Sequence, residues 1–206
     1  MDCIFITGIP ASGKSFFSEY LSSCLDVPYM SKDSIKEILF DIIGFKSREE
    51  KIHLNNAATN SMLYCAEQFM KHRKIFILES NFEKKGKKQI ADLINKYNYK
   101  SVTVSLTGNY SVIYKRLKLR NKTTGRHPGH IVNDYYPREV VEADFDAISF
   151  EQFVDEIEKR EMDDFDIGDT YLKIDTTQIN GVNWGLIAVA VKQAVSEYLS
   201  VNNGYK

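Results

Sequence analysis

Short apolar runs alternate along the chain with longer stretches in which apolar residues recur every three or four positions. The short runs predict strands and the longer period predicts helices. Strands that alternate with helices in this way form a parallel sheet covered by helices on both faces, a three-layer α/β/α arrangement. The predicted strands span 2–7, 27–30, 74–79, 101–106 and 170–175. The predicted helices span 14–24, 34–43, 50–72, 84–97, 109–121, 149–160 and 183–199.

One segment breaks this alternation. Residues 122–138, KTTGRHPGHIVNDYYPR, contain two prolines and two glycines and have no regular period. A loop of this length inside a compact domain is typically functional or mobile. Because 206 residues suit one domain, we expect a single domain over 1–206 with a mobile lid over about 121–138.

The first predicted strand leads into GIPASGKS, residues 8–15. The spacing fits G-x-x-x-x-G-K-[ST], the Walker A loop that wraps nucleotide phosphates. Its glycines let successive N–H groups face an anion, and the helix that follows adds a positive partial charge. Lys14 would neutralise the β- and γ-phosphates, and the Ser15 hydroxyl can bind Mg²⁺. The residues expected to contact the nucleotide are Gly8, Ala11, Ser12, Gly13, Lys14, Ser15 and Phe16.

The rest of the chain narrows the class of nucleotide-binding protein. A guanine-specific switch needs N-K-x-D, whereas the chain has NKTT at 121–124. A motor ATPase needs an apolar strand that ends in Asp-Glu, and IFILESN at 75–81 is the nearest candidate. A kinase instead needs a carboxylate for the acceptor hydroxyl and cations that close over the triphosphate. The next three features supply candidates for both.

Asp33 lies just after the second predicted strand, in SKDSIKE at 31–37. Ligands bind beyond the carboxyl ends of parallel strands, so Asp33 is a candidate for orienting the acceptor hydroxyl. A structural interpretation is equally open. Ser34 and Glu37 fit a capping box, in which case Asp33 would only complement the helix dipole.

The third predicted strand ends at Glu79, and Ser80 and Asn81 follow it. A carboxylate at this position could hold a Mg²⁺-bound water or the acceptor, and the Asn81 amide could bind the acceptor. The alternative is that Ser80 or Asn81 only caps the next helix.

Arginines mark the basic helix YKRLKLRNK at 114–122 and the segment after it. Arg116 and Arg120 are four residues apart and therefore share one helix face. Arginine suits bidentate phosphate contacts and stacking on a base, and Arg126 could close from a hinged lid. A solvated basic helix is the alternative. The two histidines of RHPGH, 126–130, are too few for a zinc site.

Composition and charge bear mainly on the cellular compartment of the protein. Residues 71–126 are strongly basic and 142–169 strongly acidic, which suggests an anion-handling middle of the chain. Three cysteines without a C-x-x-C spacing predict free, buried thiols in a reducing compartment. The start of the chain is unlike a signal peptide, and no apolar run is long enough to span a bilayer. We therefore expect a cytoplasmic protein that does not insert into a membrane.

Over roughly residues 1–175, these motifs in this order resemble the small P-loop kinases that include polynucleotide 5′-hydroxyl kinases, chloramphenicol phosphotransferases and zeta-toxin-like enzymes. The resemblance implies a P-loop NTPase fold with sheet order 2-3-1-4-5. It implies that Asp33 is the general base and that Lys36 is a substrate-side cation where that family has Arg. It also implies that Arg116 stacks on adenine, that Arg120 reaches the phosphates, and that IDTT at 174–177 lines the adenine pocket.

We therefore expect a kinase that uses ATP and Mg²⁺ to phosphorylate a hydroxyl of a small molecule, a nucleotide or a nucleic-acid 5′-end. The alternative is a non-catalytic or slowly hydrolysing regulatory protein, and the sequence specifies no oligomeric state. The expected catalytic residues are Lys14, Asp33, Arg116 and Arg120. The expected acceptor-binding residues are Lys36, Glu79, Asn81 and Arg126, and the expected Mg²⁺ ligands are Ser15 and Glu79.

Two features of the sequence bear on the acceptor. The cations of EKKGKK at 83–88 favour a nucleotide or a nucleic-acid end as the acceptor. The basic residues are not interleaved with aromatic ones, as they are in proteins that bind single strands, so a small hydroxylated metabolite is an equally good candidate. The helix predicted over 50–72 carries polar side chains that either line an acceptor groove or form an ordinary polar face. These are Asn55, Asn56, Thr59 and Asn60.

Overall fold

A computed structural model describes residues 1–146 and 148–202. At its centre is a five-stranded sheet in which every neighbouring pair of strands is parallel. The order is β2-β3-β1-β4-β5, which confirms the predicted order. The strands are β1 Asp2–Gly8, β2 Tyr29–Ser31, β3 Phe76–Glu79, β4 Lys100–Thr107 and β5 Thr170–Asp175.

The helices flank this sheet at nearly the predicted positions. They are α1 Lys14–Leu25, α2 Lys32–Ile43, α3 Arg48–Lys71, α4 Lys84–Tyr97, α5 Tyr110–Asn121, α6 Pro128–Ile131, α7 Phe150–Lys159 and α8 Trp184–Asn202. Short 3₁₀ helices cover Glu142–Asp146 and Ile179–Gly181. The segment predicted to be irregular thus contains one short helix, α6. Within the described ranges, no helix is long and apolar enough to cross a membrane.

The central strand β1 is buried on both faces, because it lies between two helical layers. Phe5 packs on one side with Met62 of α3. Ile6 packs on the other side with Phe17 of α1 and Val191 of α8. Successive side chains of a strand point to opposite faces, so β1 is anchored in both layers. The loop that directly follows β1 therefore lies at the carboxyl edge of the sheet.

The residues that cap α2 and α4 are not the ones that the structural interpretations of Asp33, Ser80 and Asn81 require. The cap of α2 is Ser31, whose hydroxyl accepts a hydrogen bond from Ser34 N at 3.4 Å. The predicted capping box at Ser34 is therefore wrong, and Asp33 lies in the first turn of the helix. Helix α4 has Glu83 at its cap position, with no side-chain capping bond, so neither residue 80 nor residue 81 caps it.

The three cysteines are free. Cys3 is buried in the core, as expected, and Cys65 is half-buried. Cys24 is exposed on the last turn of α1, so the expectation of burial is wrong at that position.

Replacement of Gly8 by Ala should destabilise the protein by at least about 3 kcal/mol. Gly8 has a φ of 124°, and an added Cβ would lie 2.0 Å from the Leu106 carbonyl oxygen of the paired strand. Urea denaturation of the purified variant measures the loss. Gly86→Ala is the matched control, because Gly86 lies inside α4 with no atom within 4 Å of an added Cβ. That change should stabilise by up to about 1 kcal/mol, and a Gly8→Ala midpoint equal to wild type would contradict the account.

Candidate active site

The loop after β1 has the backbone curl that the glycine spacing predicts. Gly8, Ala11 and Gly13 have φ angles of 124°, 62° and 98°. Gly13 is the cap residue of α1 and makes no side-chain capping bond, so the first amides of the helix are left for an anion. Curled amides next to an uncapped helix start form a cradle that suits a phosphate.

Lys14 is at the centre of a charged cluster at this edge of the sheet. Its side chain is buried, and its Nζ donates a hydrogen bond to the Ile9 carbonyl at 2.8 Å. Burial lowers the pKa of Lys14 to about 8, while the nearby carboxylates of Glu79 and Asp33 act to raise it. The Arg120 guanidinium is close enough to lower it further. Residues from α1, α2, β3 and α5 therefore meet at one place.

Glu79 ends β3, where the register places it beside Ser31 of β2 and Ile6 of β1. Its side chain is only 4% exposed, and its Oε2 atom is buried without a hydrogen bond. Burial raises the pKa of Glu79, against the opposing effects of the Lys14 charge and of a hydrogen bond with Ser31. An unused carboxylate oxygen at this depth suits a hard cation or a water bound to one.

Asp33 is in the first turn of α2, with its Oδ1 2.9 Å from the Lys36 Nζ. Burial acts to raise the pKa of Asp33, but the positive charges around it hold that pKa well below its usual range. Burial also lowers the pKa of His130 to about 4, so His130 is neutral at pH 7. The largest positive charges acting on Asp33 at neutral pH are therefore those of Lys36 and Lys32.

Arg120 and Arg126 bring two guanidinium groups to the same cluster. Each has a buried Nε without a hydrogen-bond acceptor. Burial lowers the pKa of Arg120 to about 10, which leaves it charged at neutral pH. Asp33 and Glu79 both lie near enough to act on the two arginines electrostatically. Planar donors of this kind suit phosphate oxygens.

Two of the predicted nucleotide-binding residues lie outside this cluster. Arg116 donates hydrogen bonds to the Ala11 carbonyl at 3.4 Å and to the carbonyls of residues 176–177 at 3.0 and 3.1 Å. It therefore ties the phosphate loop to the loop after β5. Phe16 is 59% exposed and packs against Trp184 of α8.

The segment predicted to be a lid packs on α2, beside Asp33. Phe45 and Tyr136 exchange backbone hydrogen bonds of 2.9 and 2.8 Å, and the His130 Nε2 lies 2.7 Å from Glu37 Oε1. These contacts hold the segment against α2 and bring Arg126, at its start, to the cluster. No group of three or more metal-ligating side chains occurs in the part of the chain that the structure describes. The mobility of the segment stays a prediction.

Sequence reasoning missed two buried lysines at this site. Lys32 is 7% exposed, and burial lowers its pKa to about 8. Its place beside Asp33 at the end of β2 was the available signal. Lys51 of α3 donates to the Val132 carbonyl at 2.5 Å and to Asn133 Oδ1 at 3.0 Å, so it anchors the lid segment. The sequence gives no signal for Lys51, because its role depends on how the lid packs.

A pocket of about 320 Å³ lies between α3 and α4, and its walls include Lys32 and Ser80, the chain neighbours of Asp33 and Glu79. Asn81, two residues after Glu79, lies in its wall. The polar positions of α3 are in this wall, and two of them, Asn56 and Asn60, are also exposed to solvent. The α3 residues in the wall include Asn55, Asn56, Thr59 and Asn60. A second cavity, of about 500 Å³, lies at the end of β5 and the start of α8, and its walls include neither Lys14 nor Asp33.

The parallel sheet, the curled loop at its carboxyl edge and the buried lysine define a P-loop nucleotide-binding domain. Comparison with known families gives the narrower assignment. The family model AAA_18, described as an AAA domain, matches residues 4–143, and the chain belongs to that family. The matched range includes the phosphate loop, Asp33, Glu79 and Arg126. A search of curated proteins found no match.

Solved structures of kinases have the same fold. A candidate kinase from Chloroflexus aurantiacus is similar with a TM-score of 0.74 and 22% identity, covering 95% of this chain and 96% of that one. A gluconokinase from Sinorhizobium meliloti has a TM-score of 0.56 at 14% identity and covers 97% of each chain. A shikimate kinase from Bacteroides thetaiotaomicron has a TM-score of 0.52 at 16% identity, over 95% of this chain and 98% of that one. The resemblance to small P-loop kinases is thereby confirmed at the level of family and fold.

Proposed function

We propose that this protein is an ATP-dependent kinase that transfers the γ-phosphate to a hydroxyl group. The observation that carries the proposal is the meeting of Asp33 with Lys14 and Glu79 in one charged cluster. A nucleotide-binding regulator needs the phosphate loop but has no use for a half-buried, ionised carboxylate beside it. A kinase needs such a group to orient the acceptor hydroxyl. The kinase fold of the neighbouring structures supports the same conclusion.

Each residue of the cluster has its own role in an in-line transfer. Lys14 and the loop amides hold the β- and γ-phosphates, and Arg120 and Arg126 neutralise charge that develops on the transferred group. Asp33 accepts a hydrogen bond from the acceptor hydroxyl and takes its proton as the new O–P bond forms. A carboxylate with a low pKa is a weak base, which is sufficient because a loose transition state demands little proton transfer.

Two residues fit Mg²⁺. The Ser15 hydroxyl is exposed on the first turn of α1, and Glu79 has the buried oxygen without a partner described above. Bound there, the ion would neutralise charge on the β- and γ-phosphates. Ser15 would contact the ion directly, and Glu79 would hold one of its waters.

The base of the nucleotide is proposed to lie between Arg116 and residues 176–177. Arg116 already joins the phosphate loop to that segment through its hydrogen bonds. Its guanidinium plane could stack on a purine. The residues expected to hold the nucleotide are then Gly8, Ala11, Ser12, Gly13, Lys14, Ser15 and Arg116.

An acceptor screen with γ-labelled ATP tests the proposal. The panel contains nucleosides, oligonucleotides with 5′-hydroxyls, sugars, sugar acids, sugar phosphates and amino alcohols, and label is followed into both phosphomonoester and inorganic phosphate. We expect one acceptor class to become labelled and to increase ATP consumption. Slow release of inorganic phosphate that no acceptor changes would instead support the regulatory alternative.

Replacement of Glu79 by Gln should raise the Mg²⁺ concentration needed for half-maximal ATP binding by about tenfold or more. The neutral amide keeps the shape of the side chain but loses the charge that holds the hydrated ion. Calorimetric titration of ATP at a series of Mg²⁺ concentrations measures the shift. Glu67→Gln is the control, since Glu67 lies far along α3 and pairs with Lys96. An unchanged Mg²⁺ dependence in Glu79→Gln would remove Glu79 from the metal site.

A further inference from the structure

The pocket between α3 and α4 is placed to receive the phosphate acceptor. Ser80 and Asn81, which directly follow Glu79, form part of its wall. Lys32, the neighbour of Asp33, forms another part. Asp33 and Glu79 are not themselves in the wall, but the residues that follow or precede them in the chain are, so the pocket reaches the vicinity of both carboxylates. Its volume of about 320 Å³ is at the small end for ligand pockets, which run from about 300 to 1,000 Å³.

The pocket wall is rich in side-chain amides. An amide offers both a hydrogen-bond donor and an acceptor, which matches a hydroxyl group that also does both. Several amides on facing helices can therefore bind several hydroxyls of one molecule. The amide residues of the wall are Asn55, Asn56, Asn60, Asn81 and Gln89.

The pocket offers no surface on which a nucleobase could stack. Phe82 is the aromatic residue among those that line it. Phe82 is only 6% exposed and packs against Phe5 and Phe165, with ring centroids 5.5 and 5.0 Å apart. Binding of unpaired bases depends on exposed aromatic faces. The lining thus favours a polyol over a nucleotide.

Lys32 adds a positive charge to this polar wall. Its side chain is 7% exposed, and in residues 1–146 and 148–202 it makes no hydrogen bond or ion pair. The nearest carboxylates, Asp33 and Glu83, are engaged by other cations: Asp33 by Lys36, and Glu83 by Arg160 and Lys85. These carboxylates act on Lys32 electrostatically but give it no direct contact, and because Lys32 lines the pocket, an anionic group on a ligand can supply the direct partner.

We infer that this pocket is the acceptor site and that the acceptor is a small polyol bearing an anionic group, such as a sugar acid or a sugar phosphate. The inference rests on the proposed kinase function. The anionic group pairs with Lys32, and the amides bind the hydroxyls. One further hydroxyl faces Asp33. That hydroxyl oxygen bonds to the γ-phosphorus of ATP as the bond to the β–γ bridging oxygen breaks, its proton passes to Asp33, and ADP leaves.

The test compares acceptors that share a carbon skeleton and differ in charge. The probes are gluconate with sorbitol, other six-carbon sugar acids with their neutral alditols, hexose phosphates with hexoses, and a 5′-hydroxyl oligonucleotide. We expect label transfer from ATP to at least one anionic polyol, with kcat/KM at least about tenfold above its neutral partner. The sugar-acid and sugar-phosphate arms separate the two possible sources of the charge. Preference for a neutral polyol or for the oligonucleotide would overturn the inference while leaving the kinase function intact.

A variant at Lys32 separates charge recognition from folding. Lys32→Met should raise KM for the anionic acceptor by about tenfold or more relative to any change for its neutral partner. Because Lys32 also acts electrostatically on Asp33, any fall in kcat should be shared by both acceptors. Urea denaturation checks that the variant is folded. Lys96→Met, an exposed lysine paired with Glu67, is the matched control. An unchanged KM in Lys32→Met would overturn the role of Lys32. If the wild-type protein transfers label to none of the acceptors, the proposed function itself is overturned.

Discussion

Asp33→Asn should lower kcat by about 10²-fold or more, within the range for loss of a general base. The amide cannot take the proton of the acceptor hydroxyl, and it also removes a negative charge that faces Lys36 at 2.9 Å. ATP binding should survive, because Lys14 and the loop amides are unchanged. Label transfer measures kcat, and calorimetry measures the affinity for ATP.

Two further variants distinguish a chemical role of Asp33 from a structural one. Lys36→Met removes the partner of Asp33 and should have a smaller effect on kcat, since Lys32 also stabilises the ionised carboxylate. Asp92→Asn changes an exposed carboxylate that pairs with Lys88 and should leave kcat within about twofold, since surface pairs contribute little. Equal activity of Asp33→Asn and wild type would show that the carboxylate is not part of the chemistry.

Lys14→Met should lower kcat/KM for ATP by about 10²- to 10³-fold, the loss expected when one preorganised positive donor is removed from a transferring phosphate. The pH dependence of kcat/KM for ATP provides a second test of the role of Lys14. The pKa of Lys14 is about 8 in the free protein, and only the charged ammonium attracts phosphate. Because kcat/KM reports groups of the free enzyme, wild-type kcat/KM for ATP should be full below pH 8 and fall as pH rises through that value.

The variant should lose this alkaline fall as well as most of its activity. Lys88→Met, an exposed lysine of α4 paired with Asp92, should keep both the activity and the pH profile of wild type. Urea denaturation serves as the folding check, since the variant also loses the hydrogen bond to the Ile9 carbonyl and the charge near Glu79. A Lys14→Met enzyme with wild-type affinity for ATP would contradict the placement of the triphosphate.

The features predicted well from the sequence are those with a local cause. The strands of the sheet follow from short apolar runs, and the loop after β1 follows from the spacing of Gly8, Gly13 and Lys14. The order of the sheet came from the family resemblance, and the structure has the same order. Strand ends also indicated Asp33 and Glu79, because the carboxyl edge of a parallel sheet is where its ligands bind.

One misplaced feature has a local cause: the Ser31 cap sets the start of α2 at Lys32, whereas the S-x-x-E pattern favoured a start at Ser34. The other features that the sequence did not predict depend on long-range packing. Lys51 acts through contacts with residues 132 and 133, which are more than 80 positions away along the chain. Arg116 shares a helix face with Arg120 by spacing, yet its guanidinium is held by carbonyls of two loops. Only the tertiary structure shows such partners.

The central claim is that Asp33 and the phosphate loop open onto one cavity. A crystal structure with Mg²⁺ and a non-hydrolysable ATP analogue tests it directly. A hydroxyl that bridges Asp33 and the γ-phosphate in reacting geometry requires the carboxylate to lie within about 6 Å of the γ-phosphorus, and we predict that distance. A separation of more than about 10 Å, or a γ-phosphate on the other side of the loop from Asp33, would contradict the assignment as a phosphotransferase.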